Sequence, residues 1–334
     1  METIAFWLKN ARCSALVQSL LPAVTAAVLS VGGADFSLGM TMLAVAGVGF
    51  AHLAFNLLDD FFDYISHQTG YRNTLVRSGA RAYLGKCLYL TKGGATLSQL
   101  AAACAVFGVL AVGCGAVIFL FRGWPALWVA AATAFLGYFY SGKPLRLSYH
   151  GLGEPVIGII FGPLNAAGVA LSAAGRITWE VILVGTAMGF LVANILYTHS
   201  VLDYAADQSV GKHTLAACFP TRKARKMVSA VFIFFPGLLI LAGIVSGRLS
   251  LWYLLVFFSF PFARELYQSL SRFMEEPETD VVWKWWYGPA GRFYAGRKLG
   301  LDWFLQRWLL ARNLTAVAAL CCMAASIFSK AGFL

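Results

Sequence analysis

The sequence is poor in charge and lacks the residue pairs that usually mark a metal or redox centre. Only 12% of its 334 residues are charged, and 59% are hydrophobic. Soluble domains carry about 25% charged residues, so this composition excludes a soluble globular protein. The seven cysteines form no CxxC pair and the five histidines form no HxxxH or HExxH pair. The sequence therefore argues against a disulfide framework and against a zinc site.

Long stretches without charge recur along the whole chain and predict a helical membrane protein. No stretch has the composition of a linker, so we expect one all-α transmembrane domain over residues 1–334. The N-terminal stretch has no small-residue cleavage site where a signal peptide would need one, and we interpret it as the start of the first helix. The expected nine spans are 14–33, 38–58, 95–120, 124–141, 154–173, 178–201, 227–246, 250–270 and 310–330.

Basic residues are distributed unevenly between the two ends of these spans. The chain has 26 Lys and Arg against 15 Asp and Glu, a net charge of +11. If the N-terminus is cytoplasmic, the outer connections hold only Arg122, Arg176, Arg248 and Lys330. Because cytoplasmic loops carry the excess of Lys and Arg, we expect a cytoplasmic N-terminus and an external C-terminus in the inner (cytoplasmic) membrane. Anionic lipid headgroups, and not nucleic acid, are the expected partner of the basic surface.

Acidic residues are few, and five of the eight aspartates lie in two short windows. The first window reads FNLLDDFFDY and follows a long apolar run. On a helix, Asn56, Asp59, Asp60 and Asp63 project within about 100° of one another. Carboxylates this close repel one another, so the first acidic motif (Asp59, Asp60 and Asp63) predicts a bound cation.

The second window reads NILYTHSVLDYAADQSVGKHTLA, and it places His199, Asp203 and Asp207 on one helical face. In the expected topology this second acidic motif (Asp203 and Asp207) and the first lie at the same cytoplasmic end, with Asp60 and Asp203 as counterparts in an internal repeat. Carboxylates suit Mg²⁺, which keeps positions free for substrate phosphate. The spacing DDxxD is also typical of enzymes that bind isoprenoid diphosphates. The predicted metal ligands are Asn56, Asp59, Asp60, Asp63, Asp203 and Asp207.

Basic residues beside these motifs are candidate phosphate ligands. In YFYSGKPLRLSYHGLGEP, residues 138–155, Gly142 and Pro144 predict a turn that presents Lys143 and Arg146. Lys and Arg bind phosphate through charge-assisted hydrogen bonds, so the whole constellation predicts a metal-bound diphosphate ligand. Taken singly, each cation can equally be an ordinary basic residue of a cytoplasmic loop. The loops after the two acidic motifs add Arg72, Arg77, Arg81 and Lys212.

Three blocks resemble the UbiA superfamily of intramembrane aromatic prenyltransferases: NLLDDFFDY, YSGKPLRLSYHGLGEPVIGIIFGPL and DYAADQSVGKHTLA. With the helix pattern, the likeness covers about residues 15–330. The resemblance implies nine helices, grouped 4+4+1 around a central cavity, with both acidic motifs on the cytoplasmic side. The catalytic residues it implies are Asp60, Asp63, Asp203, Asp207 and Lys143. The substrate-binding residues it implies are Asn56, Arg72, Arg77, Tyr140, Arg146, His199 and Lys212.

The middle block is most similar to that of the 1,4-dihydroxy-2-naphthoate prenyltransferases of menaquinone synthesis. This implies Mg²⁺-dependent transfer of a polyprenyl group from a polyprenyl diphosphate to that aromatic acceptor. Two positions depart from the pattern of that branch. The second motif begins His199-Ser200-Val201-Leu202 in place of Asn-Asn-x-Arg, and Asp59 replaces a common Asn. The acceptor therefore stays open between naphthoate, another quinone precursor, a tetrapyrrole and glycerol phosphate.

Two other classes of protein also place acids in a helical bundle. An ion-coupled transporter would carry them at the membrane midplane on helices broken by Gly or Pro, whereas here they lie at one face beside cations. A non-catalytic lipid-binding scaffold is the other alternative, and the departure over His199–Leu202 is the main reason to consider it. The sequence favours the enzyme over both.

The expected orientation can be tested with topology reporters. A reporter fused after Leu334 should read as external and one inserted near Thr69 as cytoplasmic, because this orientation keeps 22 of the 26 Lys and Arg inside. The opposite pair of readings would contradict the cytoplasmic placement of both acidic motifs.

Overall fold

The chain folds as a bundle of long helices. The structure, a computed structural model, describes residues 2–66, 87–209, 213–277, 283–287 and 302–332, and no strand occurs in these ranges. The longer helices are α1 (Glu2–Asn10), α2 (Val17–Ser30), α3 (Leu38–Ile65), α4 (Leu97–Arg122), α5 (Trp124–Ser141), α6 (Gly153–Ala174), α7 (Trp179–Leu202), α8 (Arg222–Val245), α9 (Phe260–Glu275) and α10 (Asp302–Lys330).

The predicted class, an all-α multi-pass membrane protein, is confirmed. Within the described ranges, seven segments are long and apolar enough to cross a membrane: α2 with the turn before it, α3, α4, α6, α7, α8 and α10. The other two predicted spans are also helical. Residues 124–141 form α5, and residues 250–270 form a 3-10 segment, Leu251–Ser259, that continues into α9. The charged residues of α9 lower the hydropathy of the 3-10 segment and α9 taken together, so the two do not form one apolar span.

Helix α3 is longer than its apolar run. Its first turn is capped by Ser37, whose hydroxyl accepts from the backbone N–H of Met40 at 3.3 Å. The helix continues past residue 58, where the apolar run ends, as far as Ile65. The first acidic motif is therefore part of a regular helix, as the sequence predicted.

The second acidic motif is less regular than predicted. Helix α7 ends at Leu202, Asp203 lies at the break, and a short helix follows over Tyr204–Ser209. The helix is therefore interrupted at Asp203, inside the stretch that the sequence predicts as one helical face. The local spacing survives, because Asp203 N–H donates to His199 O at 2.9 Å and Asp207 N–H donates to Asp203 O at 2.8 Å.

Glycine brings α6 and α7 into backbone contact. A Cβ on Gly189 of α7 would lie 2.4 Å from the carbonyl oxygen of Gly158 and 2.9 Å from Cα of Gly162, so no side chain fits. At this contact α6 widens into one π-helical turn, Ile160–Leu164, which contains Pro163. Proline lacks the N–H that a regular turn would need there. The packing fixes α6 against the helix that leads into the second acidic motif.

Three of the four basic residues expected on the outer side cap helix ends or stack there. The guanidinium of Arg122 donates to Ser172 O at 2.9 Å, and Nζ of Lys330 donates to Leu29 O at 2.6 Å. Arg248 lies 3.8 Å above the ring of Trp179. Leu29 is at the end of α2, whereas the acidic motif contacts the residues just before α2. These basic residues therefore lie at the opposite end of the bundle from the first acidic motif.

Candidate functional site

The first acidic motif is mostly buried at the end of α3. Asp60 and Asp63 are 2% and 5% exposed, and Asp59 is partly exposed. Buried carboxylates need charge partners or hydrogen-bond donors, because desolvation of an unpaired charge costs several kcal/mol. Among the described residues, three separate segments of the chain supply such partners.

Arg12, just before α2, supplies positive charge to this motif. Its guanidinium forms a close ion pair with Asp60, and its Nη1 lies 3.7 Å from the carboxylate of Asp59. The backbone of Arg12 is left-handed, with φ +58°, a conformation that costs an L-residue roughly 1–2 kcal/mol. The contact with two carboxylates holds the residue in this conformation.

Two tyrosines donate to the buried carboxylates. The hydroxyl of Tyr89 lies 3.2 Å from Oδ2 of Asp60, and that of Tyr149 forms a short hydrogen bond to Oδ1 of Asp63. Burial, with the nearby Asp63 charge, raises the pKa of Tyr149 to about 12. Burial and Asp60 raise the pKa of Tyr89 above its usual value as well. Both phenols therefore stay protonated at neutral pH and act as donors.

Asn56, one turn before Asp60, joins the N-terminal segment to α3. Its side-chain nitrogen donates to the backbone oxygen of Ala11 at 2.9 Å. The rings of Trp7 and Tyr89 add an edge-to-face contact, with centroids 5.9 Å apart. The residue predicted as a metal ligand thus holds the segment that carries Arg12.

The bridging segment, residues 141–154, contacts both acidic regions. On one side Oγ of Ser141 donates to Asp59 at 2.5 Å, and Tyr149 bonds to Asp63 as described above. On the other side the N–H of Gly151 donates to His213 O at 3.0 Å, and Ser200 donates to Glu154 at 2.5 Å. Since His213 and Ser200 flank the second acidic motif, this segment lies between the two motifs.

The predicted turn is present within the bridging segment. Helix α5 ends at Ser141, and the N–H of Arg146 donates back to Gly142 O at 2.9 Å. The guanidinium of Arg146 lies 4.0 Å from the centre of the Tyr149 ring. Its Nη2 is buried and has no hydrogen-bond partner among the described residues, whereas Lys143 is exposed. Arg146 therefore has donor capacity available for a ligand.

The second acidic motif is also buried, with Asp203 4% and Asp207 2% exposed. Tyr204, between them, packs under the guanidinium of Arg225 at 3.7 Å. Arg225 in turn donates to the backbone oxygen of Phe219 at 3.0 Å. Arg225 of helix α8 thus contacts the chain within this motif and again after it.

Two of the remaining predicted site residues, His199 and Tyr140, lie among the described residues near the two motifs. The ring of His199 packs edge-on against Phe304 of α10, with centroids 5.0 Å apart. The backbone oxygen of Tyr140 accepts from Ser148 at 2.7 Å, which places Tyr140 beside the bridging segment. Four predicted phosphate ligands lie outside the described residues: Arg72, Arg77, Arg81 and Lys212.

Comparison with known proteins identifies the family. The UbiA prenyltransferase family matches the chain over residues 19–287. The chain belongs to this family. The match confirms both the family and the enzyme class that the three sequence blocks predicted.

Two relatives carry names that refer to naphthoquinone chemistry. The 1,4-dihydroxy-2-naphthoate octaprenyltransferase of Bacillus subtilis is 24% identical over 255 residues, which cover 74% of this chain and 76% of the relative. The 2-carboxy-1,4-naphthoquinone phytyltransferase of Synechocystis is 28% identical over 159 residues, or 47% of this chain. The matched region spans about half of that relative, 51% of its length.

Solved structures of the family share the fold. A UbiA homolog from Archaeoglobus fulgidus, bound to GPP and Mg²⁺, superposes with a TM-score of 0.54 at 15% identity. The superposition covers 92% of this chain and 99% of the homolog. At this identity the likeness shows the fold alone.

The carboxylates of this UbiA protein fit a magnesium ion by their chemistry. Within the described ranges, no three His, Cys, Asp or Glu side chains are grouped so as to bind one metal ion together. Mg²⁺ does not need such a group, since proteins usually bind it through one or two carboxylates together with substrate phosphates. Asp60 with Asp63, and Asp203 with Asp207, each offer such a pair of buried carboxylates.

Sequence reasoning missed several residues of this site. Arg12 was counted among the basic residues of the cytoplasmic side, and nothing local links it to Asp60, 48 positions away. Tyr149 and Glu154 lie in the middle sequence block, residues 140–164. An aromatic and an acidic residue just after the predicted turn could have indicated that they belong to the site. Tyr89 gave no signal at all, because its role depends entirely on which segment packs against α3.

The ion pairs of Arg12 predict competition with a divalent cation. Arg12→Gln should tighten metal binding roughly 3- to 10-fold, because it removes a positive charge that holds Asp60 and Asp59. Mn²⁺ can replace Mg²⁺ in the measurement, with free Mn²⁺ followed by electron paramagnetic resonance. Lys9→Gln is the matched control, since it removes an exposed charge from the same segment. Unchanged or weaker binding in Arg12→Gln would contradict the competition.

Proposed function

We propose that this protein transfers a polyprenyl group from a polyprenyl diphosphate to 1,4-dihydroxy-2-naphthoate, in a Mg²⁺-dependent reaction at the cytoplasmic face of the membrane. The observation that carries the proposal is the bridging segment. It bonds to the first acidic motif and to Ser200 and His213, which flank the second, and it carries Arg146, whose buried Nη2 has no hydrogen-bond partner among the described residues. Two acidic pairs and a half-buried arginine around one segment suit a metal-bound diphosphate.

The donor head would be held by residues on several elements. Asp60 and Asp63 on α3, and Asp203 and Asp207 after α7, would hold the magnesium that carries the diphosphate. Arg146 would donate to a phosphate oxygen, since its ring contact with Tyr149 fixes the guanidinium and leaves Nη2 available. When bound, magnesium neutralises charge that develops on the leaving diphosphate.

The bond changes balance without a further reactant. The allylic C–O bond breaks, and its electron pair leaves with the diphosphate. An electron-rich ring carbon of the acceptor supplies the pair for the new C–C bond. The ring carboxylate at that carbon then leaves as carbon dioxide, and its bonding pair restores the aromatic ring. The apolar bundle excludes water, which would otherwise capture the allylic cation.

The relatives support naphthoate as the acceptor. Both names refer to a naphthalene-derived ring, and the chain shares the Asn56, Asp60 and Asp63 pattern with that branch. The exposed Lys143 and the half-buried His199 remain proposed substrate contacts, with Tyr140 and, beyond the described residues, Arg72, Arg77 and Lys212.

A product assay tests this function. Purified protein should convert a polyprenyl diphosphate and dihydroxynaphthoate into the prenylated, decarboxylated ring with Mg²⁺ present, as identified by mass spectrometry. Asp203→Ala should abolish turnover, because it leaves one carboxylate in the second motif. Asp35→Ala is the control, since Asp35 is exposed in the loop between α2 and α3.

The same assay with other aromatic acceptors and with glycerol phosphate tests the identity of the acceptor independently of the enzyme class. A product with another acceptor only would overturn the naphthoate assignment and keep the prenyl transfer. Full activity in a monodisperse Asp203→Ala protein would contradict the two-motif site.

The role of Arg146 predicts a loss that depends on the donor head. Arg146→Ala should lower kcat/KM roughly 10- to 150-fold, because a charge-assisted hydrogen bond contributes about 1.5–3 kcal/mol. Arg146→Lys should recover only part of it, since the planar fork is lost. Arg248→Ala, at the other end of the bundle, should leave kcat/KM unchanged. Unchanged catalysis in Arg146→Ala would show that the phosphate ligands lie elsewhere.

A further inference from the structure

A small polar cluster lies inside the apolar bundle, where three helices meet. It consists of Ser19 on α2, His52 on α3 and Asn165 on α6, which are 0%, 5% and 7% exposed. Ionisable side chains within membrane-spanning helices are rare and costly, so a buried histidine there indicates a function. The proposed function uses none of the three residues of this buried polar cluster.

Ser19 determines which polar atoms the other two side chains present. Its hydroxyl donates to Leu16 O at 3.0 Å, so its Oγ accepts from Nδ1 of His52, 2.7 Å away. A neutral imidazole that donates from Nδ1 carries a lone pair on Nε2. The backbone oxygen of Ser19 accepts from Nδ2 of Asn165 at 2.9 Å, and Oδ1 of Asn165 is buried without a hydrogen-bond partner among the described residues. Two acceptor atoms, Nε2 of His52 and Oδ1 of Asn165, are thus left for a ligand.

The cluster shares a face of α3 with the first acidic motif. His52 is one turn before Asn56 and two turns before Asp59, about 10 Å along the helix axis from that carboxylate. The three side chains project within about 60° of one another. A ring in contact with His52 would therefore lie on the membrane side of a diphosphate bound at the acidic motif, where the allylic carbon is released.

Phe161 adds an aromatic surface to the cluster. Its ring stacks on the imidazole of His52, with centroids 5.1 Å apart and planes inclined by 24°. Phe161 is only partly buried, so part of its ring surface stays open. It lies in the π-helical turn Ile160–Leu164, directly before Asn165, and such turns occur often at functional sites. This part of α6 thus places a ring and an amide against the same histidine–serine pair.

We propose that the buried polar cluster binds the aromatic acceptor by its ring hydroxyl groups and selects the hydroquinone over the quinone. A hydroquinone presents two O–H donors, and Nε2 of His52 and Oδ1 of Asn165 can each accept from one of them. A quinone of the same ring presents only carbonyl oxygens, so both acceptors would stay unpaired beside it. This inference rests on the proposed function and adds the oxidation state of the acceptor and the residues that recognise it.

The binding of a ring in its two oxidation states tests the inference without turnover. The probes are 1,4-naphthalenediol and 1,4-naphthoquinone, which have nearly the same shape and differ in their hydrogen-bond donors. Their dissociation constants are measured by quenching of tryptophan fluorescence, in one detergent and with oxygen excluded. The wild type should bind the diol roughly 10- to 100-fold more tightly, because the quinone leaves buried acceptors unpaired.

Three variants alter this preference in different ways. His52→Phe keeps an aromatic ring against Phe161 and removes both nitrogens, and Asn165→Leu removes the amide. Each should lower the preference for the diol roughly 3- to 10-fold, since each removes one acceptor. Ser19→Ala should lower it as well and strengthen quinone binding, because the imidazole loses the acceptor for Nδ1 and can carry its proton on Nε2.

Thr25→Val is the matched control on α2. Thr25 is 2% exposed, and its hydroxyl donates to Leu21 O at 2.8 Å within the same helix. The substitution removes a buried hydroxyl from α2 without touching the cluster, so the preference should stay unchanged. Size-exclusion chromatography in detergent checks that all variants stay monodisperse, and the use of three cluster variants guards against misfolding of one.

The outcomes separate this inference from the proposed function. A preference for the diol that falls in the cluster variants and not in Thr25→Val supports the inference. Equal binding of both rings by the wild type, or equal weakening of both in His52→Phe, would overturn it and show a purely structural cluster. Prenyl transfer would then still stand on its product assay. Failure of that assay with every acceptor would overturn the proposed function, and the assignment of the oxidation state would fall with it.

Discussion

The burial of carboxylates at one end of the bundle requires partners from distant parts of the chain. Asp60 and Asp63 end a long apolar helix and are almost fully buried. An unpaired buried charge costs several kcal/mol, so the fold must bring cations and donors to it. Arg12, Tyr89 and Tyr149 meet this need, and each belongs to a different connection. These charges therefore hold the N-terminal segment, the segment before α4 and the bridging segment together.

The same constraint joins the two halves of the bundle. The bridging segment reaches Asp63 through Tyr149 and the end of α7 through Glu154. Backbone contact between Gly158 and Gly189 fixes α6 against α7, so the segment has little freedom relative to the second acidic motif. In the proposed function, the two acidic pairs would bind one ligand between them. Such a site would hold a metal-bound polyanion without a preformed cage of protein ligands.

The membrane position follows from the two ends of the proposed substrate. In the proposed function the diphosphate needs carboxylates that can hold a metal, and Asp60 and Asp63 lie at the polar end of α3. An isoprenoid tail needs an apolar environment, and α3 is mostly apolar from Leu38 to Leu58. Helix α3 thus meets both requirements, because it is apolar for most of its length and acidic in its last turns.

The sequence by itself determined the all-helical membrane class, the acidic strip on α3 and the turn after Gly142, because periodicity, charge spacing and turn chemistry are local properties. Three short sequence blocks also indicated the family. Tertiary structure alone decided that Arg12 pairs with Asp60, that α7 ends at Leu202 and that Tyr149 donates to Asp63. These outcomes depend on which segments pack together across tens of residues. No local sequence pattern identifies the partner of a buried carboxylate. Burial makes a partner necessary, and only the packing of the helices determines which residue is close enough to be that partner.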